Sequence, residues 1–126
     1  MTTFNNYEVE AKERYGSTSA YKEYEQKTAN YTKDKMQGIN DGLMAIFNKF
    51  AVCKRSGNAA KSTEAQALVK ELQEYITENY YTCTNEILAG LGQMYVADER
   101  FKTNIAKCGS GTAEFTSRAI EIFVNK

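Results

Sequence analysis

Apolar residues recur along most of this chain in steps of three and four, and no useful stretch alternates with period two. The pattern therefore predicts helices throughout and an all-α fold. The longest stripe runs Met36, Ile39, Leu43, Ile46, Phe47, Phe50 and Cys53, behind Thr32, whose hydroxyl suits a helix N-cap. That stripe places Cys53 in the core. KRSGNAAKS reads as a loop, and Thr63 with Gln66 offers a capping box for a second long helix with Ala65, Leu68, Val69, Leu72, Ile76 and Tyr80 on one face. The short connection predicts that the two helices run antiparallel. Thr84 caps a third helix carrying Ile87, Leu88, Leu91, Met94 and Tyr95, with Glu86 in the first turn, where the helix dipole favours an anion. Gly90 and Gly92 lie inside it. Each costs about 1 kcal/mol relative to alanine, which points to close approach of a ligand or, more simply, of another helix. Asp98 opens a short helix with Phe101 and Ile105, the CGSG turn ends it, and a final helix is expected to bury Phe115, Ala119, Ile122 and Phe123. Cys108, beside that turn, reads as incidental.

The first 31 residues differ in character. They carry Tyr7, Tyr15, Tyr21, Tyr24 and Tyr31 but, Val9 apart, almost no aliphatic side chains, so they have little to bury alone. Two short helices are expected, Asn5 to Tyr15 and Thr18 to Ala29, split at Gly16, with Tyr21, Tyr24, Thr28 and Tyr31 on one face of the second. The tyrosines either complete the core as an amphipathic flap or form an aromatic lid over a ligand. Composition leaves both readings open.

At 126 residues and 42% hydrophobic content the chain suits one domain, 1–126. Sixteen basic residues balance sixteen acidic ones and no basic cluster supplies phosphate contacts, so nucleic-acid binding by this chain is not expected. No apolar leader and no run long enough to span a bilayer occurs, which predicts a soluble cytoplasmic chain with no membrane partner. Cys53, Cys83 and Cys108 are odd in number and widely spaced, as expected of reduced thiols. The absence of histidine removes Cys-His nucleophiles, histidine-ligated haem and HExxH zinc sites. Acidic residues alternate with lysines, as in Glu23, Glu25 and Lys27, which reads as solvated helix faces rather than an acid–base pair. Neither an enzyme nor a bound cofactor is expected.

The segment YYTCTNEILAGLGQMYVADERFKTNI resembles the signature of the TipA-S antibiotic-recognition domains, the effector halves of certain MerR-class multidrug regulators. Tyr81, Cys83, Gly90, Leu91, Gly92, Met94, Tyr95, Asp98, Glu99, Arg100, Phe101, Asn104 and Ile105 carry the likeness. ERYGSTSAY, AQALVKEL and AEFTSRAIEIF extend it over almost the whole chain, with Tyr15 where the family usually has tryptophan. The resemblance implies a globin-like helical domain without haem, a helical core over 32–126, and a mobile N-terminal lid over 1–31. It also implies a deep groove for bulky hydrophobic antibiotics such as thiopeptides. Some family members trap the drug on cysteine with a second thiol seven residues on, where this chain has Gly90, so non-covalent binding is expected.

The groove is expected between the helix from Thr63 to Tyr81 and that from Thr84 to Tyr95, lined by Ile76, Tyr80, Tyr81, Cys83, Leu91 and Met94, with Tyr15 and Tyr21 from the lid. Cys83 reads as a small filler beside the pocket. The helix start behind it favours its thiolate, and Glu78 and Glu86 oppose that. DERF, Asp98 to Phe101, reads as structural: Asp98 capping, Phe101 buried, and Glu99 and Arg100 tying neighbouring segments. The resemblance leaves open whether such a domain sequesters drug by itself or serves a DNA-binding regulator. The competing class is an interaction module whose apolar face meets a partner protein.

Overall fold

The computed structural model describes residues 19–126, as six helices: α1 Ser19–Thr28, α2 Lys33–Arg55, α3 Thr63–Asn79, α4 Asn85–Ala97, α5 Glu99–Ala106 and α6 Thr112–Val124. Among the described residues there is no strand. The expected Asn5 to Tyr15 helix lies outside them, as do the side chains of Tyr15 and Tyr21.

Local chemistry sets the helix boundaries. The Thr32 hydroxyl accepts from Lys35 N–H, Thr84 from Ile87 N–H and the Asp98 carboxylate from Arg100 N–H, each relieving an orphan donor of a first turn. Of the capping signals read in the sequence, one is displaced. Ser62, not Thr63, caps α3 by accepting from Ala65 N–H, because Ser62 is the residue left in extended backbone (φ −63°, ψ 157°). Gln66 is then free of any capping role. It is buried, and its amide donates to Ala60 O at 2.9 Å and Ala119 O at 3.1 Å, tying α3 to α6. Gly111 precedes α6 at φ 79°, a left-handed conformation that favours glycine, and offers no side-chain cap.

The long helices α2 and α3 run antiparallel, since Lys49 meets Glu71 while Asn40 meets Tyr80. Helix α4 packs along α6 and α5, and α6 also lies on α2 and α3. The shared interior is built on Phe47, Phe50, Val69, Leu72, Leu88, Ile105 and Ile120. Aromatic edges join its layers: Phe47 meets Tyr95 edge-on at 5.1 Å, and Tyr95 meets Phe101 at 5.8 Å. Cys53 is buried in this core, as its stripe predicts. In α6 the inward face keeps the expected Ala119 but is otherwise turned, with Phe115 and Phe123 packing only partly against the core. Thr112, Ala113, Thr116, Ala119 and Ile120 are buried while Phe115, Ile122 and Phe123 are partly exposed, because α6 is flanked by several helices and its small residues allow the closest contacts. The two α4 glycines also part company. A Cβ on Gly92 would come within 3.1 Å of Ile120, so Gly92 admits α6, whereas Gly90 faces open space.

Candidate functional site

The site is built where α3 ends. Tyr80 and Tyr81 both direct their backbone N–H groups to Ile76 O, which closes the helix but leaves later carbonyls without a helical partner. The last turn of α3 has no basic residue to meet the negative end of its dipole. The α1 region fills that need from outside. Lys27 Nζ donates to Thr77 O at 3.1 Å, and the Tyr31 hydroxyl donates to Asn79 O at 3.0 Å.

Tyrosines converge on this corner. Tyr24 of α1 stacks on Tyr80 with centroids 6.3 Å apart and planes 15° from parallel. The Tyr80 hydroxyl donates to Asn40 Oδ1 at 2.8 Å, and the Tyr75 hydroxyl donates to Ile39 O at 2.6 Å, so both rings are pinned to α2. Burial, then the neighbouring Tyr75 and Tyr31 phenols, push the Tyr80 phenol well above its ordinary range. Burial, then Glu78 and Asp41, raise Tyr75 as well. Both hydroxyls are spent on α2, so what these neutral rings can present is aromatic face.

Cys83 is held at both backbone ends by α3. Its N–H donates to Thr77 Oγ1 at 3.1 Å, and its carbonyl accepts from Gln73 Nε2 at 2.9 Å, an amide that also reaches Asn85 Oδ1 at 3.0 Å. The thiol is turned into the core, 4% exposed, and burial pushes its pKa up to about 11. Burial, rather than the flanking glutamates, is what raises this thiol.

Ile76, Tyr80, Tyr81 and Cys83 gather at this corner. Ile76 and Cys83 are core residues there, while Tyr80 and Tyr81 are partly exposed. Leu91 and Met94 are partly buried along α4 against the same core. Sequence reasoning gave no site role to Tyr75, Asn40, Gln73 or Thr77, and left Tyr24 and Tyr31 open between flap and lid. Tyr24 and Tyr31 were visible on the tyrosine face of the second N-terminal helix, but nothing local marked their docking point. A separate open depression of 490 Å³ between the end of α2 and the start of α3 is lined by Val52, Cys53 and Leu68, and it includes none of the other residues discussed here as site candidates. Among the described residues no cluster of carboxylates and thiols could hold a metal ion, and no helix is long and apolar enough to cross a membrane.

Within DERF, Asp98 caps α5 as read from the sequence, while the hydrogen bonds that Arg100 makes to Asp98 stay within that turn rather than tying a neighbouring segment. Asp98 Oδ1 accepts from Arg100 N–H at 2.9 Å, Arg100 Nη2 returns to Asp98 Oδ2 at 2.8 Å, and Phe101 is buried. Glu99 is exposed.

Comparison with known proteins places this arrangement. The profile of the TipAS antibiotic-recognition domain matches residues 7–123. The chain is 37% identical over 116 residues to the HTH-type transcriptional activator TipA of Streptomyces coelicolor, covering 92% of this chain and 46% of that protein. It is 33% identical over 117 residues to the HTH-type transcriptional activator mta of Bacillus subtilis, covering 93% and 44%. It therefore spans less than half the length of these regulators. The solved structure of Streptomyces lividans TipAS in complex with nosiheptide superposes with a TM-score of 0.82 at 36% identity, over 96% of this chain and 83% of that one. The globin-like helical fold implied by the sequence signature is thereby shown, and the chain belongs to the TipAS antibiotic-recognition domain family.

Proposed function

We propose that this domain binds bulky, largely apolar peptide antibiotics of the thiopeptide class, reversibly and without turnover, at the corner where α3 meets α4. The observation that carries the reading is the convergence of Tyr24, Tyr31, Tyr75 and Tyr80 at this corner, in a fold whose relative is solved with nosiheptide. Aromatic walls with a few fixed polar groups suit a ligand of that kind. Tyr80, Tyr81, Leu91 and Met94 line the groove, Ile76 and Cys83 form its floor, and Tyr15 and Tyr21 reach it from the lid. Residues 1–31 act as that lid over a core of 32–126.

The longer relatives are transcriptional activators, which favours ligand sensing for an attached DNA-binding region, and drug sequestration is the other setting for such a module. The interaction-module alternative finds little support. Val52, 46% exposed, is the one large apolar side chain so exposed among the described residues, and a single such residue is ordinary for a surface. Calorimetric titration with nosiheptide tests the reading. Saturable one-to-one binding with a negative heat-capacity change is expected, and absence of heat and of any thermal shift would sink it.

A further inference from the structure

The two helices that wall the proposed groove pack on other helices more than on one another. Helix α3 lies on α2 and α6, and α4 lies on α6 and α5, whereas the backbones of α3 and α4 approach each other little. The connection from Tyr80 to Thr84 joins them, and two α3 side chains fasten it. Gln73 Nε2 donates to Cys83 O at 2.9 Å and to Asn85 Oδ1 at 3.0 Å, and Thr77 Oγ1 accepts from Cys83 N–H at 3.1 Å. Gln73 and Thr77 are one helical turn apart, so both meet the connection from the same side of α3. A carbonyl can only accept, which turns the Gln73 amide nitrogen toward Cys83 and leaves one hydrogen for each acceptor. Asn85 is the first residue of α4, directly after the Thr84 cap. One amide thus reaches from α3 to the connection and to the start of the opposite wall.

We propose that Gln73 and Thr77 are positioning residues of the ligand site, a clasp that fixes the start of α4 against α3 and so sets the separation of the two walls where they join. The proposal deepens the ligand-site reading and rests on it only for what the groove receives. Both side chains are partly exposed, so the clasp adds little to the core, in which α3 and α4 each pack against α6. Its effect lies in geometry. Tyr80 and Tyr81 direct their N–H groups to Ile76 O at one end of the connection, and Cys83 is the point at which the other end is fastened. With the Cys83 backbone and Asn85 released, α4 is left to its packing on α5 and α6, and the spacing of the two walls is no longer fixed at this end. A ligand that fills the space between them needs both walls at one spacing, so the clasp supports affinity by pre-organisation rather than by contact.

Amide hydrogen exchange in the ligand-free protein, followed by calorimetric titration with nosiheptide, tests the clasp. Gln73→Met and Thr77→Val keep side-chain size and lose the bonds. Both are expected to speed exchange at Cys83 N–H about tenfold, the size expected for a lost hydrogen bond in a local opening equilibrium. Gln73→Met, which frees Asn85, is expected to do the same at Leu88 N–H in the first turn of α4, while Leu72 N–H, in the buried core, keeps its rate. Leu88 N–H donates to Thr84 O and touches neither clasp residue, so its response separates the fastening of a helix from the loss of one bond. Both variants are expected to weaken nosiheptide binding about tenfold, and Thr77→Ser, which keeps the hydroxyl, to return exchange and affinity to those of the parent protein. A Cys83 or Leu88 rate that stays at the parent value, an equal rise at Leu72, affinity unchanged in both variants, or a Thr77→Ser protein that behaves as Thr77→Val overturns the clasp. If the parent protein itself does not bind nosiheptide, the ligand reading fails, and the exchange rates still decide whether Gln73 and Thr77 hold α4 in place.

Discussion

Tyr75 occupies the space that a side chain at position 42 would need. Its hydroxyl lies over the bare backbone of Gly42 on its way to Ile39 O. Gly42→Ala must push the ring back and break that bond. The gain in helix propensity, about 1 kcal/mol, is outweighed by overpacking on the order of 1–3 kcal/mol. Urea denaturation is expected to show a net loss of about 1 kcal/mol or more, coupled to Tyr75 in a double-mutant cycle with Tyr75→Phe. Additive effects would mean that the two residues are independent.

Gly90 and Gly92 make opposite predictions. With nothing within 4 Å of an added Cβ, Gly90→Ala is expected to stabilise the free protein by about 1 kcal/mol, whereas Gly92→Ala presses on Ile120 and destabilises it. Melting temperatures that move the same way for both variants contradict this.

Asp98 gives acid sensitivity a named source. The hydrogen bond from the Arg100 side chain holds the Asp98 carboxyl below its ordinary value of 3.8, helped by the N–H groups of Arg100 and Phe101. A depressed folded pKa contributes stability that is present above the unfolded value and is lost as pH falls through the folded one. Arg100→Ala is expected to cost about 1 kcal/mol at neutral pH, since both groups are partly solvated, with antibiotic affinity retained. The melting temperature of Asp98→Asn, which keeps a capping oxygen, should fall less than that of the parent protein between pH 5 and 3. Arg100→Ala with an unchanged melting temperature and lost binding would instead put Arg100 in the site.

For Cys83, burial and a thiol pushed up to about 11 predict no covalent adduct with a dehydroalanine-bearing thiopeptide at neutral pH. Cys83→Ala is expected to retain most affinity, whereas Tyr81→Ala loses on the order of 1–3 kcal/mol of aromatic contact. A rapid stoichiometric adduct, surviving denaturation and absent from Cys83→Ala, contradicts the first expectation. The raised pKa also means that stability from the neutral thiol is present below its unfolded value and fades as pH rises toward 11.

The helices within the described residues and three of the four side-chain caps read in the sequence, at Thr32, Thr84 and Asp98, were legible because capping and apolar periodicity act within a few residues. The α3 cap was misplaced by one residue because Ser62 and Thr63 are chemically alike, and only backbone conformation separates them. The inward face of α6 was read correctly at Ala119 and missed at Thr116 and Ile120, because large apolar residues mark an average burial while a fully buried position here went to a threonine. At the proposed site, the meeting of Ile76, Tyr80 and Cys83 at one corner followed from the stripe and the signature. The links from Glu23 and Lys27 to Thr82 and Thr77 span 50 or more positions and involve ordinary surface residue types, so no local pattern announces them.

The end of α3 receives its hydrogen-bond donors from residues that precede the two-helix core in the chain. Removing everything before Thr32 would therefore strip Lys27 and Tyr31 from the carbonyls of Thr77 and Asn79, and those groups would turn to water. Helix α1 and the end of α3 are thus coupled in folding: the final turn of α3 would fray in a shortened chain, and a ligand bound as proposed would meet a wall that α1 had helped to shape.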